Sequence, residues 1–350
     1  MNRRLPVYIL IDCSESMIGD GIRAVRSGLS QMLSVLRQDP HALETAYISV
    51  ISFGAGAQVV IPLTELIQVQ EPKIVLSQGT SLGAALDLLS NQIETEVVKS
   101  EGDLKGDYRP LIILLTDGQP TDDWQSAKVR FDNQMGKRVA NFYVVGCGHA
   151  IDYKSLSKIS DIVLSLPDMT PESMRKLFVW MTQTVTSASI GVSGQDQNEE
   201  NFGIKILPKE IVRVNPEGDN MPTVSMQVFL PGICSLKKES RYLMRYVKRD
   251  NSTYFIGEHA HKIKLGDIEL SEIKPLAEQQ KVSLHGAIQC PYCYAEGWVQ
   301  CEHCGIYFCT GILNNEIEAC DNMNIQCPNC STTLTLRIGG NEFEADFTRG

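Results

Sequence analysis

The sequence predicts an α/β fold, a doubly wound and mostly parallel sheet, followed by a small β-rich segment and a cysteine-rich module. Two observations carry this. Over the first 187 residues, short apolar runs alternate with amphipathic stretches, the pattern of a sheet wrapped by helices. Eight of the eleven cysteines then fall after residue 289, six of them in three C-x-x-C pairs. The reading divides the chain into an α/β domain over 1–187, a polar linker over 188–203, a β-rich segment over 204–285 and the cysteine-rich module over 286–350.

The expected strands of the first domain are VYILI (7–11), TAYISVISF (45–53), QVVIPL (58–63), PLIILL (110–115), NFYVV (141–145) and DIVLSL (161–166). Helical stretches lie between them, near 21–37, 81–97, 124–136 and 171–187. QVVIPL follows TAYISVISF across Gly54-Ala55-Gly56, too short a link for a parallel crossover, and reads as an antiparallel edge strand. Residues 188–203 are polar and almost free of large apolar groups. The runs TVSMQVFL (223–230), YLMRYVK (242–248) and STYFIGE (252–258) read as strands. TLTLRI and NEFEADF read as a hairpin closed by Gly339-Gly340.

At 350 residues the chain exceeds one ordinary domain. No apolar run reaches the roughly 18 residues that a membrane span needs. The start MNRRLPVYILID has too short an apolar core for a secretory signal and reads as a first strand, so a cytoplasmic protein without a membrane partner is expected. A net charge of −10 opposes nucleic-acid binding, which needs clustered Lys and Arg. In a reducing compartment, paired cysteines point to metal rather than to disulfides.

Strand VYILI runs into Asp12-Cys13-Ser14-Glu15-Ser16, a D-x-S-x-S turn. Thr80 stands in QGTSLGAAL before a helix, and Asp117 in LLTDGQPTDD after a buried strand. In a doubly wound fold these three loops meet at the carboxyl edge of the sheet, where such folds bind ligands. They bring two carboxylates and three hydroxyls, an oxygen-only set suited to Mg²⁺ or Mn²⁺. Taken alone, Ser14 and Ser16 read more readily as helix caps than as ligands; the order and strand context of Thr80 and Asp117 favour the metal. Cys13 reads as packing. Cys147 and His149, in the loop after NFYVV, read as loop structure at the rim.

These motifs resemble the metal-ion-dependent adhesion site of von Willebrand factor A domains, a Rossmann-like family, over roughly residues 5–187. The resemblance implies that Ser14, Ser16 and Thr80 are ligands, direct or through water. Asp12 and Asp117 would act directly or through bridging waters. It also implies a coordination position kept for an acidic side chain of a partner protein.

The second constellation runs Cys290-x2-Cys293, Cys301-x2-Cys304, Cys309, Cys320 and Cys327-x2-Cys330. Two thiolates three positions apart grip one face of a tetrahedral Zn²⁺, so the module reads as zinc-ribbon-like. Eight ligands suit two ions; the three pairs alone supply at least one. Sequential and interleaved pairings both satisfy the spacing, and Cys309 and Cys320 lack knuckle partners. A redox role fits three such pairs less well than structural zinc. His303 reads as a neighbour of the ligands. Beyond residue 285 there are eight acidic residues and two basic ones, which weighs further against nucleic acid.

The CPYC, CEHCG, FC and CPNC series behind an A domain is similar to the TerY-type proteins of bacterial tellurite-resistance gene clusters and their C-terminal zinc-binding domain. Tyr294 and Ser331 depart from the glycine common at those knuckle positions. The resemblance implies a stress-response phosphorylation system, with a metal-dependent protein phosphatase and a serine/threonine kinase as partners. Of the smaller signals, KKESRYLMRYVKR (237–249) reads as a charged edge strand and His259 with His261 as surface residues. No Walker loop, G-x-S-x-G or Cys-His nucleophile pairing is present, so the expectation is a non-catalytic, metal-dependent interaction adaptor rather than an enzyme. The alternative is an accessory subunit of a chelatase-like ring ATPase.

Overall fold

The computed structural model describes residues 3–101, 105–148, 151–193, 207–214, 226–248, 254–263, 280–311, 322–337 and 342–347. The chain divides into two compact units, Met1–Val224 and Ser225–Gly350.

The first unit is built on β1 (Leu5–Asp12), α1 (Asp20–Leu36), α2 (Pro40–Thr45), β2 (Ala46–Phe53), β3 (Ala57–Glu65), α3 (Leu82–Glu96), β4 (Leu111–Thr116), α4 (Trp124–Met135), β5 (Asn141–Cys147), α5 (Tyr153–Leu156), β6 (Ile162–Leu166), α6 (Pro171–Ser193) and β7 (Val212–Arg213). Its sheet runs in the order β3-β2-β1-β4-β5-β6-β7. The five inner strands are parallel. β3 returns antiparallel beside β2, as the tight Gly-Ala-Gly turn requires.

β1 and β4 are buried along their whole length, because helices cover both sheet faces. On one face, Tyr8, Leu10, Ile112, Leu114 and Val144 pack with Leu86 and Leu89 of α3 and Trp124 and Phe131 of α4. On the other, Trp180 of α6 meets the Tyr143 ring edge-on, with centroids 5.4 Å apart. α1 lies against α6 at Gly28, where an added Cβ would fall 2.0 Å from Cδ2 of Phe178. This is the doubly wound α/β arrangement that the alternation predicts.

Two features differ from expectation. α6 continues through Ser193, so its end lies beyond the 187 boundary, and residues 194–203 of the expected linker lie outside the described residues. β7, drawn from the segment assigned to 204–285, pairs antiparallel with β6 and extends this sheet.

The second unit holds β8 (Met226–Ile233), β9 (Arg241–Lys248), β10 (Phe255–Ile263), β11 (Gln280–His285), β12 (Trp298–Gln300), β13 (Tyr307–Cys309), β14 (Asn322–Gln326), β15 (Thr333–Arg337) and β16 (Glu342–Phe347). Seven of these form one sheet, ordered β12-β13-β8-β9-β10-β11-β16, and β14 pairs with β15 apart from it. The break expected at 285/286 therefore does not separate two sheets. β13 pairs parallel with β8 and β16 antiparallel with β11, both across that line.

The expected pairing of TLTLRI with NEFEADF is corrected. β15 pairs with β14 while β16 joins β11, and residues 338–341 lie outside the described residues. The turn that folds β15 back is the Cys327–Cys330 knuckle. There the Cys327 N–H donates to the Thr332 carbonyl at 2.9 Å, closing the hairpin before the glycine pair is reached.

Candidate metal centres

β1 and β4 lie side by side in parallel register, so Asp12, the last residue of β1, and Asp117, just beyond β4, emerge at the same sheet edge. The D-x-S-x-S turn curls over this edge. The Ser14 N–H donates to Asp12 Oδ1 at 3.0 Å and the Ser16 hydroxyl to Asp117 Oδ1 at 2.7 Å, while the two serine hydroxyls lie 2.8 Å apart. Four of the five expected oxygen ligands are thus joined in one network.

Thr80 is brought in by contacts made outside its own loop. Its N–H donates to the Thr121 hydroxyl and its carbonyl accepts from the Thr121 N–H, both at 2.9 Å. Gly79, at φ 76°, donates its N–H to the Glu15 carboxylate at 2.6 Å. The Thr80 hydroxyl is buried and has no hydrogen-bond partner among the described residues. A buried hydroxyl left so is costly unless something completes it.

Both aspartates lie deep in the protein. Burial pushes the Asp12 carboxyl up to about 6, against the stabilising hydrogen bonds from Thr116 and Ser14. Asp117 is raised well above the ordinary carboxylate range, first by burial and then by the charge of Asp12. Two acids that resist ionising together, with hydroxyls around them and an orphaned threonine oxygen, suit a hard divalent cation. Such an ion would neutralise the pair and take the oxygen.

Four supporting residues escaped the sequence reading. Thr116 donates to Asp12 Oδ2 at 2.5 Å, fixing the carboxylate from the neighbouring strand. Asp122 accepts from the N–H groups of Gly83 and Ala84, each at 3.0 Å, and so caps α3 from the Asp117 loop. Glu15, 3% exposed, ties the serine turn to the Thr80 loop. Cys234 belongs to the second unit. Cys13 is buried and its thiol donates to the Ile11 carbonyl, as packing requires. Cys147 is buried too, and His149 lies outside the described residues.

The cysteines of the second unit form two groups, Cys234–Cys290–Cys293–Cys309 and Cys301–Cys304–Cys327–Cys330, whose ligand atoms in each group lie within 4.8 Å of one another. The pairing interleaves along the chain. Cys320, expected as the eighth ligand, lies outside the described residues, and Cys234 stands fourth in the first group. It gets there because β8 delivers it beside β13, two strands joined across more than 70 residues.

Within these groups the sulfurs lie 3.5 Å apart for Cys293–Cys309, 3.6 Å for Cys301–Cys330 and 3.7 Å for Cys304–Cys327. A tetrahedron of sulfurs about 2.3 Å from a zinc ion has edges of about 3.8 Å. Each C-x-x-C pair adopts the same turn. The N–H groups of Tyr294, Gly305 and Ser331 donate to the carbonyls of Cys290, Cys301 and Cys327 at 2.8, 2.7 and 3.0 Å. This puts Tyr294 and Ser331 at φ 63° and 62°, the left-handed conformation that Gly305 adopts without strain at 74°. The glycine preference at these knuckle positions thus has a backbone cause.

The Cys309 thiol is lowered to about 4, first by the hydrogen bond from Cys290, and Cys330 to about 6, first by the Thr332 hydroxyl. Cys290, Cys293 and Cys327 are pushed up instead, Cys290 first by its hydrogen bond to Cys309 and the other two first by burial, so each group keeps protons that a metal would have to displace. His303 belongs to neither group. His259 and His261 face each other across 2.6 Å between Nε2 atoms, outside both clusters. The basic strand, expected at an edge, is β9, paired on both sides by β8 and β10, with its Arg245 3.7 Å from Glu258.

Residues 7–170 match the family model of the von Willebrand factor type A domain. Among solved structures, the von Willebrand factor type A protein from Catenulispora acidiphila is 20% identical over 53% of this chain and 43% of its own, with a TM-score of 0.41. Proximal thread matrix protein 1 from the mussel byssus, solved with a zinc-occupied MIDAS motif, is 17% identical over 53% and 46%, with a TM-score of 0.38. BatB from Bacteroides thetaiotaomicron is 15% identical over 53% and 99%, with a TM-score of 0.36. The chain thus spans less than half the length of the first two. No curated protein matches it.

Proposed function

We propose that the chain is a non-catalytic adaptor whose von Willebrand factor A domain uses a Mg²⁺ or Mn²⁺ ion to capture an acidic side chain of a partner protein. One observation carries the reading: two loops bring Asp12, Ser14, Ser16 and Asp117 into one network, and a third, tied to them through Glu15, holds a buried Thr80 hydroxyl that lacks a partner among the described residues. In this reading Asp12, Asp117 and the three hydroxyls hold the ion, and the ion supplies the positive charge that attracts a partner's carboxylate. Asp122 and Glu15 keep the Thr80 loop in place, and Thr116 orients Asp12.

The two cysteine groups each hold a structural Zn²⁺. The support is the donor chemistry and the sulfur edges of 3.5 to 3.7 Å. The resemblance of the cysteine series to TerY-type proteins supports a cytoplasmic role in a tellurite-resistance or stress-response phosphorylation system, with a metal-dependent protein phosphatase and a serine/threonine kinase as partners.

The test is capture of partners from the native cell on immobilised protein, with Mg²⁺ present or omitted, for the native chain and Asp12→Ala. Omitting Mg²⁺ is preferred to a chelator, which would also strip zinc. Capture of a kinase or phosphatase that needs both Mg²⁺ and Asp12 is the expected result. Capture indifferent to both sinks the adaptor reading, and Mg²⁺-dependent recovery of a ring ATPase replaces the partner assignment.

A further inference from the structure

The two cysteine groups have different surroundings. In the first, Cys234, Cys290 and Cys309 are buried and Cys293 is half-buried. They sit in an apolar cluster with Val228, Leu230, Tyr242 and Met244, with Trp298 packed alongside. In the second, Cys304 is exposed and Cys330 half-buried, and the apolar neighbours reduce to a small cluster around Ile233, Phe308 and Ile325.

Hydrogen bonds reach a sulfur in both groups; in the second, Cys330 Sγ lies 3.2 Å from the Thr332 hydroxyl. The Ser235 N–H donates to Cys309 Sγ at 3.2 Å, with the Ser235 hydroxyl 3.4 Å from the same sulfur. Tyr242 is 0% exposed, and its hydroxyl has no hydrogen-bond partner among the described residues. The ring lies across β8 at Gly232, its direct cross-strand neighbour. An added Cβ there would fall 2.7 Å from Cε2 and Cζ and 3.0 Å from the hydroxyl oxygen. That glycine lets the phenol reach over the strand that ends beside Cys234. The same apolar cluster holds Cys234, Cys290 and Cys309 together with the Tyr242 ring.

We propose that the two groups hold zinc unequally: the Cys234 group keeps its ion, with the Tyr242 hydroxyl donating to a bound thiolate, and the Cys304 group exchanges its ion with the medium through Cys304. This rests on the zinc reading above. Four thiolates around one Zn²⁺ carry excess negative charge, and a buried O–H without a partner is the group that such charge would recruit. Exchange begins when a competing ligand or a proton reaches a thiolate, which exposure allows at Cys304 and burial hinders in the other group. One ion is therefore a fixed part of the fold, and the other follows the availability of zinc around the protein.

The experiment loads the full chain with zinc, counts the ions by elemental analysis and follows their transfer to the chromophoric chelator 4-(2-pyridylazo)resorcinol. Two equivalents leaving in two separate phases are expected. Cys304→Ser should remove or speed the fast phase alone. Tyr242→Phe should speed the slow phase by about ten- to hundredfold and leave the fast one unchanged, in line with the usual effect of removing a donor to a metal ligand. The same substitution should resist denaturant slightly better than the native chain without metal and less well with zinc, a reversal that simple loss of packing would not produce. Release of both ions in a single phase, or a slow phase indifferent to Tyr242→Phe, overturns the proposal while leaving the zinc reading intact. A chain that retains no zinc overturns both.

Discussion

Asp12 and Asp117 sit where two strands end side by side, and their burial would make a proton and the proposed cation competitors for one place. With no metal bound, the Asp12 carboxyl is raised to about 6 from an ordinary 3.8. The folded chain therefore keeps a proton that the unfolded chain releases. The stabilisation linked to that proton is complete below about 4 and is lost as pH rises through about 6. Metal binding runs the other way, because the ion needs the ionised acid. Mn²⁺ affinity measured calorimetrically should fall several-fold between pH 7.5 and pH 5.5. An affinity constant across that range would detach Asp12 from the ion.

The residues legible in the sequence were those whose chemistry is local. D-x-S-x-S reads itself, and each C-x-x-C announces a knuckle. Glu15, Thr116, Asp122 and Cys234 were not legible, because each acts across a gap that only the fold closes. Glu15 reaches Gly79 from 64 positions away, and Thr116 reaches Asp12 from 104. Cys234 stands alone in the sequence, with no second cysteine near enough to mark it, and strand pairing alone brings it to Cys309.

Among the elements, the strands and helices of the first unit were predictable because burial on both faces leaves continuous apolar runs. Helix packing was not, since it depends on single small residues. Gly28 of α1 admits the Phe178 ring of α6 so closely that an alanine methyl would overlap it. Gly28→Ala should destabilise the first unit by about 1–3 kcal/mol, the usual cost of overpacking a core, partly offset by the better helix propensity of alanine. Equilibrium denaturation of the native and substituted chains would measure it, and an unchanged midpoint would mean that the two helices part freely there. The tail hairpin was misread at this scale. A glycine pair is a strong turn signal, but the Cys327–Thr332 knuckle, closed by its own backbone hydrogen bonds, returns the chain first.

For the whole molecule, the two units draw on different sources of stability. Met1–Val224 has a helix-covered sheet whose core uses none of the clustered cysteines, while both clusters lie within Ser225–Gly350. There β12 and β13 are three residues each, and β14 and β15 form a lone pair. Strands so short are marginal without another restraint, and the proposed zinc ions would supply one. Calorimetry of the zinc-loaded chain should show two transitions, and a strong zinc chelator should abolish one of them while leaving the α/β unit's melting temperature unchanged. A single transition insensitive to chelation would show that the second unit stands without metal.

The parallel seam between β8 and β13 has a practical consequence for dissecting the protein. A fragment cut at residue 286, where the cysteine spacing invites the scissors, would leave Cys234 behind along with β8, the strand on which β13 rests. The first group would then keep three of its four thiols, beside a newly bared strand edge of the kind that invites aggregation. The smallest piece that takes its whole coordination shell with it begins upstream of Met226.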